Sequence, residues 1–269
     1  MTTYDELKRR HWAGRAEAYA ETFGLLCAHP IERLLDAARV SRGVMLLDVG
    51  TGAGAVAAAG LRRGARVTAV DPDPDMRRLA GRSAPDAEVL DGALPDLDLP
   101  DEAFDAVVAN FVLNHVGDPL ASAAELARVV RPGGWVAVSI WPWPGAELAQ
   151  LWDDVVESAG VQRPPGLQPL APDKDFERSP GGLAGLLTSA GLDKAEATTV
   201  EFVHCVHPEV WWSGPARGVA RIGTIVEAQA PDDAARMKTH YDRLSRRYLA
   251  SDGLLHLPTA AVLAHAQMP

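Results

Sequence analysis

The chain has 269 residues, of which 47% are hydrophobic and 23% charged, a composition that fits one α/β domain with an elaboration, or two small domains. Its formal net charge of −10 disfavours a polyanionic partner such as DNA or RNA, because such partners need a basic face. No apolar run reaches about 18 residues, and the opening segment lacks the apolar stretch of a signal peptide, so we expect no membrane partner and a cytoplasmic location.

Residues 1–40 have the pattern of helices, and we expect them to form an N-terminal lid. From residue 44 to residue 140, short apolar strands alternate with helices, which predicts a parallel sheet covered by helices on both faces. The predicted strands are 44–49, 66–70, 87–90, 104–109 and 135–140. The predicted helices are 55–63, 75–82 with Asp73 as N-cap, and one that starts at Asp118-Pro119 and is ended by Pro132-Gly133-Gly134.

After Trp141, strands and helices no longer alternate regularly. Helices are predicted at 146–160 and 183–190, a proline-rich loop at 161–180, and late strands at 195–203 and 253–267. The late strands favour an antiparallel pair at one sheet edge. The expected organisation is the lid at 1–40, a core at 41–207 and 253–269, and a helical insertion at 208–252 that forms either substrate contacts or a homodimer interface.

The first strand of the alternation runs into the glycine loop Gly50-Thr51-Gly52-Ala53-Gly54. Glycines permit positive φ and close backbone approach, and the following helix presents free N–H groups at its start. Asp71 ends the second strand, 21 residues after Gly50, where a carboxylate can accept both hydroxyls of a ribose. The spacing predicts a nucleotide-like ligand at the carboxyl ends of the strands.

Two cofactor classes use such a loop. The first is a nicotinamide dinucleotide, whose G-x-G-x-x-G/A pattern the loop satisfies literally, and the second is S-adenosylmethionine. Asp48, two residues before the glycines, crowds a pyrophosphate but suits a ligand with an ammonium and a sulfonium group. Asp91-Gly92-Ala93 follows the third strand, where a carboxylate can accept from an adenine amino group, and Asn110 ends the fourth, where its backbone can meet the ligand. These features favour S-adenosylmethionine.

Four segments carry a resemblance to a known family: LLDVGTGAG, AVDPDPDM, DGALPDLDLPDEAFDAVVANFVLNHV and ELARVVRPGGWVAVSIW. They resemble the successive motifs of class I S-adenosylmethionine-dependent methyltransferases, and look closest to the ubiquinone/menaquinone-biosynthesis and bacterial natural-product small-molecule group. The resemblance implies an α/β, Rossmann-like fold with a seven-stranded sheet, mostly parallel with an antiparallel last strand. It also implies methyl transfer to a small-molecule acceptor, an aromatic or secondary metabolite. The cofactor-binding residues it implies by position are Tyr19, Asp48, Gly50, Thr51, Gly52, Asp71, Pro72, Met76, Asp91, Gly92, Ala93 and Asn110.

The acceptor side is less determined by the sequence. A sulfonium is already an activated methyl donor, so the main task is to hold a nucleophile in line with the S–CH₃ bond, and we predict no metal. His115, in the loop after the fourth strand, is a candidate general base for a hydroxyl acceptor, with packing or hydrogen bonding as the alternative role. The candidate walls of the acceptor pocket are aromatic, with a place in the core as the alternative: Trp12, Trp141, Trp143 and Trp211.

Two other classes of function stay open. The first is an NAD(P)-dependent oxidoreductase, but Tyr4 and Lys8 form the only Tyr-x-x-x-Lys pair of the sequence, and they lie in the wrong region for short-chain dehydrogenase chemistry. The second is a non-catalytic protein with a cofactor-binding fold, against which the intact glycine loop and its acids argue. Nucleic-acid methylation is disfavoured by the net charge and by the lack of an Asn-Pro-Pro-Tyr-type base-flipping motif.

Overall fold

The computed structural model describes residues 3–164 and 170–269. Residues 1 and 2 of the predicted lid, and residues 165–169 of the predicted loop, lie outside the described residues. The strands are β1 (Met45–Val49), β2 (Arg66–Val70), β3 (Glu88–Leu90), β4 (Phe104–Asn110), β5 (Val130–Ile140), β6 (Asp193–Val206) and β7 (Leu255–Gln267). The helices are α1 (Thr3–Trp12), α2 (Ala16–Glu21), α3 (Phe23–Cys27), α4 (Ile31–Ala37), α5 (Ala55–Arg62), α6 (Pro74–Ser83), α7 (Pro119–Val129), α8 (Glu147–Ala159), α9 (Pro180–Ser189), α10 (Pro208–Ala216), α11 (Ala220–Glu227) and α12 (Pro231–Ser245), the last followed by a 3₁₀ turn (Arg246–Tyr248).

The strands form one seven-stranded sheet in the order β3-β2-β1-β4-β5-β7-β6. Strands β1 to β5 run parallel, while β7 runs antiparallel to both β5 and β6. This confirms the predicted fold class, including the antiparallel last strand. Because parallel strands share a direction, the carboxyl ends of β1 to β5 meet at one edge of the sheet.

The sheet is buried on both faces, as expected for parallel strands. On one face, Leu47 and Val107 pack with α7 and α9. On the other, Leu46 and Val108 pack with α4 and α5. The insertion builds a third cluster around the fully buried Trp211, which joins α8 to α10, α11 and α12.

The start of α6 shows how the sequence specifies an element locally. The carboxylate of Asp73 accepts the backbone N–H groups of Asp75 and Met76, at 2.8 and 3.0 Å, and Pro74 occupies the first helical position. Such a cap satisfies donors that a helix start otherwise leaves open. The predicted N-cap is therefore confirmed, and it fixes α6 directly after β2.

The predicted end of α7 at Pro132-Gly133-Gly134 is wrong. The helix ends at Val129, and β5 begins at Val130, which pairs with Phe104 of β4. The register then shifts, so that Trp135 pairs with Ala106 and the Pro-Gly-Gly segment lies inside an irregular part of the strand. A bulge accommodates turn-forming residues within a strand, which explains why they do not mark its start.

Within residues 3–164 and 170–269, no helix is both long and apolar enough to cross a membrane.

Candidate active site

The glycine loop, residues 50–54, lies at the carboxyl end of β1. The N–H groups of Gly50 and Thr51 both donate to the carbonyl oxygen of Val70, at 2.8 and 3.0 Å, so the loop bends over the end of β2. Gly54 has a φ of +87°, and a Cβ built on it would lie 2.8 Å from the Cα of Ala80. Helix α6 therefore packs directly on the loop, and no side chain fits between them.

Asp48 is buried beneath this loop, with an exposed fraction of 1%. Its Oδ2 accepts the hydroxyl of Thr51 at 2.6 Å, and the backbone N–H of Ala57 also stabilises the carboxylate, but no hydrogen bond of ordinary geometry reaches the buried Oδ1. Burial raises the pKa of Asp48 to about 7. A buried carboxylate oxygen with open lone pairs fits a cationic group such as the ammonium of S-adenosylmethionine.

Asp71 lies one strand away, at the end of β2, and is also buried. Its Oδ2 accepts the N–H of Gly52 and its Oδ1 the N–H of Asp73, both at 2.9 Å. Burial raises its pKa to about 6, against the opposing effect of these two hydrogen bonds. Each carboxylate oxygen has two lone pairs, so both retain the capacity to accept a ribose hydroxyl.

Asp91 follows β3, and the pairing of Val70 with Leu90 places it next to Asp71 at the same edge. The carboxylate of Asp91 is exposed and forms an ion pair with Nη1 of Arg77 at 3.0 Å. The same Nη1 donates to the backbone oxygen of Asp71 at 2.8 Å. One arginine of α6 thus links the acids of two strands, a link that the sequence analysis missed.

The other predicted adenine-side residues lie close to these two acids. Pro72 follows Asp71 directly, and Met76 is buried in the first turn of α6. A Cβ on Gly92 would approach the side chain of Val70 to 3.3 Å, and Ala93 forms an isolated bridge with Asp96. The carboxyl ends of β2 and β3 therefore bring together the residues predicted from two separate motifs.

The side chain of Asn110, at the end of β4, forms hydrogen bonds with two neighbouring elements of the fold. Its Nδ2 donates to the carbonyl oxygen of Cys27 at 2.9 Å, and its Oδ1 accepts the hydroxyl of Ser139 at 2.6 Å. It therefore links α3, β4 and β5, and the contact of its backbone with a ligand stays a prediction. The next residue, Phe111, has a φ of +58° and stacks on Trp141, with ring centroids 4.0 Å apart. A left-handed non-glycine residue at this edge has no signature in the sequence.

Side chains of the protein itself cover the glycine loop. A Cβ on Gly52 would lie 3.4 Å from Cε1 of Tyr19, and one on Gly50 would lie 2.5 Å from Cγ2 of Val112. Tyr19 comes from α2 and Val112 from the segment after β4. The sequence places Tyr19 near the cofactor, but it does not predict that the loop is closed.

The helices that carry this cover are held by polar contacts. The guanidinium of Arg15 contacts Glu227 of α11 at 2.6 Å, and Glu17 forms an ion pair with Arg78 of α6. The carboxylate of Asp5 accepts the N–H of Gly117 at 2.7 Å. These contacts fix α1 and α2 against the sheet edge.

Three predicted residues form a chain of edge-to-face aromatic contacts beside the glycine loop. Trp12 lies 5.4 Å from Tyr19 and 5.7 Å from His115, measured between ring centroids. The predicted residues Trp143 and Trp211 are placed differently: Trp143 is 69% exposed, whereas Trp211 is fully buried in the insertion. In the part of the chain that the structure describes, no group of three or more His, Cys, Asp or Glu residues is arranged to hold a metal ion.

Comparisons with known proteins give the family and the fold that this chain resembles. Residues 47–138 match the family model described as a methyltransferase domain. The chain is 36% identical over 125 residues to a malonyl-[acyl-carrier protein] O-methyltransferase of Serratia marcescens, which covers 46% of this chain and 49% of that protein. It is 32% identical over 111 residues to a demethylmenaquinone methyltransferase of Renibacterium salmoninarum, covering 41% of this chain and 47% of that protein. The chain thus spans about half the length of these curated relatives.

Solved structures share the fold. The YcgJ protein of Bacillus subtilis superposes with a TM-score of 0.56 at 17% identity, over 89% of this chain and 97% of that one. The phosphoethanolamine N-methyltransferase 2 of Haemonchus contortus, solved with S-adenosylhomocysteine, superposes with a TM-score of 0.55 at 15% identity, over 100% and 61%. Residues 47–138 therefore match the methyltransferase domain family, and the chain shares its Rossmann-like fold with solved methyltransferase structures.

Proposed function

We propose that the chain transfers a methyl group from S-adenosylmethionine to a small-molecule acceptor. The observation that carries the proposal is the pair of buried acids, Asp48 and Asp71, at neighbouring strand ends around the glycine loop. A ligand with ammonium and sulfonium groups compensates buried carboxylates, whereas the pyrophosphate of a dinucleotide adds negative charge beside them. The same observation therefore argues against the nicotinamide alternative.

The residues that would hold the cofactor follow from their positions. Asp48 would accept the ammonium through its open Oδ1, and Asp71 would accept the ribose hydroxyls. The segment 91–93, with Pro72 and Met76, would flank the adenine. S-adenosylmethionine, when bound, supplies an activated methyl group, so that the protein's task is to exclude water and to orient the acceptor.

The acceptor class that the site suits best is aromatic. The stacked pair of Phe111 and Trp141 lies beside the end of β4, and Trp12 and Tyr19 lie beside the glycine loop, so flat apolar surfaces flank the expected methyl group. The names of two relatives of this chain point to different acceptors, a demethylmenaquinone and a malonyl group on an acyl-carrier protein. The acceptor of this chain must therefore be identified by assay.

His115 is the candidate general base for a hydroxyl acceptor. It lies in the loop after β4 and contacts Trp12 edge to face. Replacing His115 with Ala is expected to lower the methyl-transfer rate by at least about tenfold if the imidazole removes a proton. Full turnover of the His115→Ala variant, at every pH tested, would assign His115 to packing.

We further propose that residues 1–40 act as a lid through α1 and α2. Tyr19 covers Gly52, and Trp12 links Tyr19 to His115. An outward movement of α2 would expose the glycine loop, and its return would close the site against water.

Isothermal titration calorimetry distinguishes the three functions. Binding of S-adenosylhomocysteine at micromolar strength, without binding of NADH, supports a methyltransferase. Binding of NADH instead supports an oxidoreductase, and binding of neither ligand supports a non-catalytic role. Transfer of a radiolabelled methyl group to a panel of phenols and quinols then tests the acceptor class.

A further inference from the structure

A cluster of buried polar nitrogen atoms lies where β6 and α8 meet the insertion. Among the described residues, Nε2 of His204, Nε1 of Trp211 and Nε1 of Trp152 are buried without a hydrogen-bond partner. The three rings are contiguous, with centroids 5.2 Å apart between His204 and Trp211, and 5.8 Å apart between Trp211 and Trp152. Native proteins leave few buried polar atoms unsatisfied, because each costs free energy. Three unsatisfied nitrogen atoms in one cluster indicate that a polar group of a bound molecule lies among them.

This nitrogen cluster, defined by His204, Trp211 and Trp152, lies next to the aromatic residues of the site. His204 shares a face of β6 with Phe202, since the two are separated by one residue in a strand. Phe202 packs against the buried cluster of Cys27, Phe111 and Ala261, and Trp141 packs against the same cluster. The side chain of Phe202 therefore lies between the nitrogen cluster and the place expected for the methyl acceptor.

A second histidine connects the nitrogen cluster to the surface. Nδ1 of His204 lies 3.2 Å from Nε2 of His29, which is exposed and stacks on Phe202 with centroids 4.7 Å apart. One imidazole must donate to the other across this distance. If His204 is the donor, its Nε2 is left as a hydrogen-bond acceptor that faces the interior.

The buried imidazole stays neutral. Burial lowers the pKa of His204 to about 4, and the neighbouring His29 acts in the same direction. A neutral ring beside two indoles offers hydrogen bonds but no charge, so the nitrogen cluster suits a neutral hydroxyl better than a carboxylate or a phosphate.

We propose that the acceptor site extends past Phe202 to this cluster, where an aromatic acceptor places a hydroxyl group between His204 and Trp211. The hydroxyl donates to Nε2 of His204, and the indole N–H of Trp211 donates to the hydroxyl oxygen. Both are positioning residues that select hydroxylated aromatic acceptors. The inference rests on the proposed function, since it assigns part of the acceptor site of the same reaction.

The test compares two probes of matched shape, 1-naphthol and naphthalene, by equilibrium dialysis against the protein saturated with S-adenosylhomocysteine. The wild-type protein is expected to prefer 1-naphthol by about 5- to 150-fold, the range of two neutral hydrogen bonds. The His204→Phe and Trp211→Phe variants should reduce this preference, and His204→Gln, which keeps a hydrogen-bonding group, should retain part of it.

A matched control is His256→Phe, because His256 pairs with Cys205 and therefore lies on the opposite face of the same two strands. It should keep the wild-type preference. The inference is overturned if the wild-type protein binds both probes equally or binds neither. It is also overturned if both phenylalanine variants keep the wild-type preference. An ordered internal water would then be the hydrogen-bond partner of the buried nitrogen atoms. Binding of S-adenosylhomocysteine is measured first, so failure of the proposed function is recognised separately. If His204→Phe does not fold, Trp211→Phe decides the outcome.

Discussion

Binding of S-adenosylhomocysteine should weaken steeply below pH 7, because the proposed contact with its ammonium group needs Asp48 in the ionised form. With a pKa of about 7, Asp48 of the ligand-free protein is about 90% ionised at pH 8 and about 3% ionised at pH 5.5. Protonation removes the charge that the cation requires, so the affinity should fall about 30-fold over this interval. Asp71, with a pKa of about 6, should add a factor of about four.

Calorimetric titration with S-adenosylhomocysteine at pH 8 and at pH 5.5 measures the effect. In the Asp48→Asn variant, the about 30-fold step should disappear and only the smaller contribution of Asp71 should remain. Asp36→Asn, an exposed carboxylate of α4 that pairs with Arg63, serves as the control and should keep the wild-type slope. Equal wild-type affinity at the two pH values, or a wild-type slope in the Asp48→Asn variant, would refute the assignment of Asp48.

Three further predictions follow from the same edge of the sheet. Asp71→Ala should weaken S-adenosylhomocysteine binding at pH 8 by about 10- to 150-fold through loss of charge-assisted hydrogen bonds, and unchanged affinity in calorimetry would contradict its role at the ribose. Gly54→Ala should lower the free energy of unfolding, measured in urea, by about 1–3 kcal/mol more than Gly133→Ala. Both glycines have positive φ, but only Gly54 faces the backbone of α6. Equal losses of stability would show that α6 shifts to accommodate the added methyl group without a loss of free energy. Tyr19→Ala should raise the association rate of S-adenosylhomocysteine in stopped-flow experiments, and an unchanged rate would show that Tyr19 is not the barrier to entry.

Local rules predict much of the fold. Strand β2 has the predicted bounds, and α6 starts at the predicted cap, since periodicity and capping act over a few neighbouring residues. The end of α7 was predicted wrongly because pairing of Val130 with Phe104, a contact distant in the sequence, overrides the turn preference of residues 132–134.

The closed state of the site could not be predicted in the same way. The contact of Tyr19 with Gly52 depends on how α2 packs, and the left-handed backbone of Phe111 depends on tertiary contacts around the end of β4. The pair of His29 and His204 joins residues 175 positions apart, and neither residue has a local pattern that marks it. Sequence motifs locate the strand ends that carry the acids, whereas long-range packing decides what covers them.

The contacts that hold α1 and α2 have a consequence for how the protein responds to its solution. Arg15 with Glu227, and Arg78 with Glu17, are ion pairs with partly exposed side chains. Mobile ions screen such pairs over a Debye length of about 8 Å at physiological ionic strength, so the hold on these helices weakens as salt is added. If α1 and α2 act as the proposed lid, we therefore expect the rate of S-adenosylmethionine exchange to depend on the salt concentration, although Asp48 and Asp71, the acids proposed to bind it, are buried.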